Sequence, residues 1–76
     1  MTLLDLSLKP GQTVKIQSLG GEDLIRERLH EMGLHAGMLV TILGRAPFGG
    51  PLLVRFKTSF LALRNEEAQC ATITLK

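Results

Sequence analysis

Apolar and polar residues alternate in several short runs along this chain. In Thr13-Val14-Lys15-Ile16-Gln17-Ser18-Leu19, Val14 and Ile16 interleave with Thr13, Lys15 and Gln17, the period of a strand with one buried and one wet face. Met38 to Leu43 repeats the pattern: Met38, Val40 and Ile42 face in, which leaves Leu39 and Leu43 outside, flanking Thr41. Leu52 to Lys57 predicts a third strand, with Leu52, Val54 and Phe56 on one face and Leu53, Arg55 and Lys57 on the other. Thr58-Ser59 reads as a tight connection into a fourth strand, Phe60 to Leu63, and Ala71 to Leu75 reads as the last.

One segment changes period. From Glu22 to Met32, Ile25, Leu29 and Met32 recur at i, i+4 and i+7, a single helical stripe with Leu24 at its edge. Glu22 and Asp23 suit the positive end of the helix dipole, and Glu22 can pair with Arg26 one turn on. Gly33 is the expected left-handed stop, after which Leu34 can fold back on Leu29. Asn65 is placed to cap one short helical turn through Glu66, Glu67 and Ala68. Turn chemistry fills the gaps: Lys9-Pro10-Gly11, Gly20-Gly21, His35-Ala36-Gly37 and the longest irregular stretch, Ala46 to Pro51. The sum is a mainly β fold: a small, strongly bent, SH3-like antiparallel β-barrel of about five strands, with one inserted helix and a short C-terminal helical turn.

Composition narrows the class. A chain of 76 residues predicts one domain spanning 1–76, and 45% hydrophobic residues suffice for a core. No apolar run approaches the roughly 20 residues that cross a bilayer, and Asp5 follows the start too closely for a secretory signal. The lone Cys70 cannot form an internal disulfide and suits a reducing cytoplasm. Nine basic residues against seven acidic ones are scattered along the chain, without the run that marks a nucleic-acid binder.

Few residues could carry chemistry. Cys70 with His30 or His35 is the one conceivable nucleophilic set, and nothing local would activate the thiol, so it reads as a small buried hydrophobe. His30, Glu31, His35 and Cys70 are metal-ligand types, but His30 and Glu31 diverge on the helix and His35 lies beyond its stop. They are weak metal candidates only. Gly20-Gly21 lacks the lysine and hydroxyl ending of a phosphate loop and is followed by two acids. With no Trp or Tyr and three Phe, grooves for proline-rich peptides and stacking platforms for bases are disfavoured. What remains is an apolar group on the outer strand faces: Leu39, Leu43, Leu53 and Phe60, with Phe48 at a loop tip. It is either an interaction site or a surface covered by the N-terminal Leu3-Leu4-Leu6 segment.

Laid out in order, these features resemble the ferrous iron transport protein A family (FeoA). The resemblance is carried by Leu8-Lys9-Pro10-Gly11, Arg26 with Arg28-Leu29, Met32-Gly33-Leu34 followed by Gly37, Ala46 to Pro51, and Leu61-Ala62-Leu63-Arg64 with Glu66-Glu67-Ala68. The family loop reads Gly-Asp-Pro, and here Gly50 stands in the aspartate's place. The resemblance implies a cytoplasmic, non-enzymatic accessory protein without cofactors, peripheral to the inner membrane through its partner. That partner is the ferrous iron permease with a cytoplasmic GTPase domain (FeoB). It implies no nucleic acid and no direct membrane insertion, and weak self-association is compatible with it. The expected contact residues are Arg26, Arg28 and His30 on the helix, the apolar group Leu39, Leu43, Leu53 and Phe60, and the loop Pro47, Phe48, Gly49, Gly50 and Pro51. Two other readings stay open: a transition-metal-binding or iron-delivery protein, and a stand-alone relative of the SH3-like domain of iron-dependent repressors.

Overall fold

A computed structural model describes residues 1–5 and 7–75; Leu6 and Lys76 lie outside the described residues. The elements follow in the order β1 (Thr13–Leu19), α1 (Asp23–Glu31), β2 (Leu39–Arg45), β3 (Leu52–Phe56), β4 (Ser59–Leu63), α2 (Asn65–Ala68) and β5 (Ala71–Leu75). All ladders are antiparallel, and the strands form one sheet in the order β4-β3-β2-β1-β5. Two bulges, at Gln17 in β1 and Leu43 in β2, shift the register and bend the sheet. The mainly β, five-stranded antiparallel architecture is as predicted, but no ladder joins β4 to β5 among the described residues, so the sheet is bent rather than closed.

The alternation read from the sequence sets the inner face. Val14, Ile16, Val40, Ile42, Leu52, Val54, Leu63 and Ile73 are buried. Leu29 and Leu34 join them from α1 and its exit, and Leu3 and Leu8 from the N-terminal segment. Each such side chain contributes on the order of 1.5–3 kcal/mol by leaving water.

Several boundaries differ from expectation. β2 starts one residue later and runs on to Arg45. The β3–β4 turn is Lys57-Thr58 rather than Thr58-Ser59, because Ser59 already pairs with Phe56. Helix α1 begins after Glu22, and Arg26 pairs with Asp23 three residues back rather than with Glu22. Its end is as predicted: Gly33 N–H donates to the His30 carbonyl and Leu34 N–H to that of Leu29, both at 3.0 Å. Gly33 has φ +98°, and a Cβ there would meet the Phe56 ring at 3.2 Å.

Arg64, not Asn65, precedes the first turn of α2. The buried carboxylate of Glu67 reaches back to accept the Arg64 N–H at 2.9 Å, the half of a capping box that a glutamate at the third helical position supplies. Its other oxygen accepts from Arg28 at 3.3 Å, joining α1 to α2. Asn65 instead donates to the Gly49 carbonyl at 3.4 Å and ties α2 to the β2–β3 loop.

Among the described residues, the N-terminal segment leaves Leu39, Leu43, Leu53 and Phe60 exposed; Leu6, the third leucine expected to cover them, lies outside the described residues. Leu3 enters the core, and the backbone of residues 1–3 runs beside β5: Leu3 N–H donates to the Ala71 carbonyl at 3.0 Å and Ile73 N–H to that of Met1 at 2.8 Å. Arg45 donates across this segment to the carbonyls of Leu3 and Asp5, at 3.0 and 3.2 Å. The Asp5 carboxylate accepts the Ser7 N–H at 2.8 Å, and chiefly this bond, with help from the Ser7 hydroxyl, holds its pKa below the usual carboxylate range.

Candidate docking surface

Pairing between β2, β3 and β4 assembles the predicted apolar group. Leu53 on β3 lies opposite Ala62 on β4 and faces Gly44, next to the bulged Leu43, on β2. Phe60 is diagonal to Leu53 and directly across from Arg55. Leu39 stands further along β2, paired with Lys15 of β1. All four predicted residues are exposed, Phe60 at 69%.

The loop 46–51 extends this hairpin. The Ala46 N–H bonds to the Pro51 carbonyl at 3.0 Å, and the Gly50 N–H closes a turn on the Pro47 carbonyl at 3.2 Å. Phe48 and Gly49 both have positive φ, +60° and +72°, the arrangement of a type I′ turn. Glycine takes this conformation freely; a bulky Phe does so under strain. The loop therefore holds Phe48 at its tip with the ring wholly in water. A Cβ at Gly50 would lie 2.6 Å from that of Ala46 and 3.2 Å from the Pro47 carbonyl oxygen, so this loop as folded has no room for the family's aspartate.

Acidic residues are confined to part of the molecule. None of the five strands contains Asp or Glu, and the stretch from Met32 to Asn65 has neither. The seven acids occupy the N-terminal segment (Asp5), α1 with its cap (Glu22, Asp23, Glu27, Glu31) and α2 (Glu66, Glu67). Basic residues that look scattered along the chain thus surround the apolar group without counter-charges. Arg55, Lys57 and Arg64 are exposed and in no ion pair among the described residues.

The helical candidates are engaged elsewhere: Arg26 with Asp23, Arg28 with Glu67, and His30 with His35. The two imidazoles, which lie on either side of the helix stop, stack at 5.6 Å between ring centroids and 17° between planes. The left-handed Gly33 turns the chain back and brings His35 over the last turn of α1. No third His, Cys, Asp or Glu joins them as a metal-holding group among the described residues. Glu31 is exposed; Cys70 is half-buried, packed against the core, and its thiol reaches the Glu66 carbonyl at 3.3 Å. The expectation of a buried thiol is corrected to a half-buried one that still packs as a hydrophobe. Sequence reading set Arg55 and Lys57 on the outer face with Leu53 but left them, with Ala62 and Arg64, out of the candidate contact residues. The absence of acids between Met32 and Asn65 was the available signal.

The described residues thus form a bent, SH3-like antiparallel sheet with an exposed, acid-free apolar face. The family model of the FeoA domain matches residues 1–74, and the chain belongs to the FeoA family. Among solved structures, it is similar to the FeoA protein of Chlorobium tepidum (32% identity, TM-score 0.83, covering 99% of this chain and 70% of that one). It is also similar to Stenotrophomonas maltophilia FeoA complexed with zinc (31%, TM-score 0.78, 97% and 89%). That protein is described as a prokaryotic SH3 domain protein and a candidate ferrous iron transport activating factor. A FeoA-like protein of Clostridium acetobutylicum matches at 27% identity and TM-score 0.85, covering 99% of this chain and 85% of that one. ScaR with bound zinc, at 17% identity and TM-score 0.87, shares the fold over 37% of its own length. A comparison with curated proteins gave no match. No helix among the described residues is long and apolar enough to cross a membrane.

Proposed function

We propose that this chain is an accessory protein of ferrous iron transport that docks on the cytoplasmic, GTPase-containing part of the membrane iron permease (FeoB) and modulates it. One observation carries the reading: Leu43, Leu53, Ala62 and Phe60 form a continuous apolar group on a sheet without a carboxylate, extended by the strained Phe48 loop. Isolated exposed apolar residues are ordinary, whereas a contiguous group with unpaired charges at its rim is the anatomy of an interface. The Stenotrophomonas description supports the transport role. The protein acts at the inner face of the membrane through its partner and needs no cofactor.

Co-purification with the permease tests this. Leu43→Asp and Phe48→Asp are each expected to remove the partner while leaving the thermal melt within a few degrees of the parent, because both side chains are exposed. Retention of the permease by both variants removes this face from the reading. A second reading, a metal-binding protein, draws on the stacked His30–His35 pair. Calorimetry with ferrous iron or zinc tests it: submicromolar one-to-one binding lost in His35→Ala would establish it in place of docking.

A further inference from the structure

The two outer strands of the sheet are treated differently. The outer side of β5 is occupied by residues 1–3. The outer side of β4 is not: among the described residues, Ser59–Leu63 make no backbone hydrogen bond beyond the β3 ladder. Phe56 and Ser59 close a two-residue hairpin, and the residues closing such a turn exchange backbone bonds. Pairing then alternates, so Ser59, Leu61 and Leu63 face β3, whereas Phe60 and Ala62 aim their N–H and C=O groups outward. Open edges are ordinarily blunted by lysine, proline or a bulge within the strand. Ser59-Phe60-Leu61-Ala62-Leu63 has none of these.

We infer that β4 is a pairing edge that accepts an extended segment of a protein partner as a sixth strand. That segment is apolar at its centre and acidic at its ends. The backbone of Phe60 and Ala62 supplies the hydrogen bonds. The Phe60 ring and the small Ala62 offer the central apolar contact on the outer face. Lys57 at one end of β4, Arg64 at the other and Arg55 behind Phe60 supply the charge complement. This rests on the docking reading in taking a protein as the partner, and it specifies the mode of contact.

The test uses the whole chain, labelled for NMR, and a short blocked peptide with paired glutamates at both ends and alternating valine and threonine between them. The amides of Phe60 and Ala62 are expected to shift and to exchange at least about tenfold more slowly on titration. A lysine-ended peptide is expected to bind at least about tenfold more weakly, and added salt to narrow that gap. Ala62→Pro, which removes an outward donor at an edge where proline is tolerated, is expected to cost tenfold or more in affinity. The double charge reversal Lys57→Glu with Arg64→Glu keeps the strand intact and is expected to exchange the preference between the two peptides.

Unaltered exchange at Phe60 and Ala62 would overturn the proposal. So would protection that appears on concentrating the protein alone, which assigns the edge to a second copy. Competition by phosphatidylglycerol vesicles would assign the face to lipid and overturn it as well. Permease co-purification that persists in Ala62→Pro leaves docking standing and defeats the edge. Peptide binding at β4 without co-purification does the reverse.

Discussion

The β5 side and the β4 side of this sheet solve the same problem in opposite ways. At β5 the exposed backbone is covered by residues 1–3, anchored by the fully buried Leu3, whose carbonyl accepts from Arg45. At β4 the backbone is left open, and exposed apolar residues stand beside it with unpaired basic ones. A domain of this size is stable by only about 4–11 kcal/mol, so exposed apolar surface is retained only where it does not undermine the core. The contrast separates what holds the fold from what is available to a partner: substitutions on the closed side should cost stability, and those on the open side binding.

The sharpest test is Leu3→Ala, which empties a fully buried site. It should destabilise by roughly 3 kcal/mol in urea melts and loosen residues 1–3 from β5, seen as faster exchange at Ile73. If Leu3→Ala is neutral, the closed side is not what holds the fold. Glu67→Ala comes next, because it strips the Arg64 N–H of its acceptor and unlinks α2 from α1. Its expected cost is about 2 kcal/mol. Arg28→Ala, removing the exposed partner alone, should cost less than about 1 kcal/mol.

Phe48→Asn acts on the open side with the opposite sign. Asparagine tolerates positive φ better than phenylalanine, so the melt should rise by the equivalent of about 1 kcal/mol while permease binding weakens. A loss of both would mean the ring packs on the fold after all. Smallest is the Asp5 effect. Its folded pKa is depressed, so its contribution is complete above the ordinary carboxylate range and disappears as pH falls through the lower folded value. Asp5→Asn should flatten that part of the acid limb, checked by melts across the acid range.

Much of the fold was legible because strand and helix periods are local. Val14 and Ile16 on β1, Val40 and Ile42 on β2, and Leu52 and Val54 on β3 face inward as their alternation requires, and Leu39, Leu43 and Leu53 consequently face out. The Gly33 exit was equally plain, since a left-handed residue followed by Leu34 leaves few alternatives. The α2 cap was misplaced because propensity favours Asn65, while the reach of the Glu67 carboxylate, a geometric matter, selects Arg64. The His30–His35 stack was missed for a related reason: helical spacing ceases to apply beyond Gly33, and only the path of the turn sets the distance between the rings.

By itself, the sequence determined which residues are buried, where the chain turns and which family it joins, because these depend on neighbours a few positions away. Only the tertiary structure decided that Arg55, Lys57 and Arg64 gather around the apolar group, that residues 1–3 cover β5 rather than the outer face, and that the outer edge of β4 is left open among the described residues. Strand order and the grouping of these basic residues arise from pairing between residues distant along the chain, and no local period records which strand will be last.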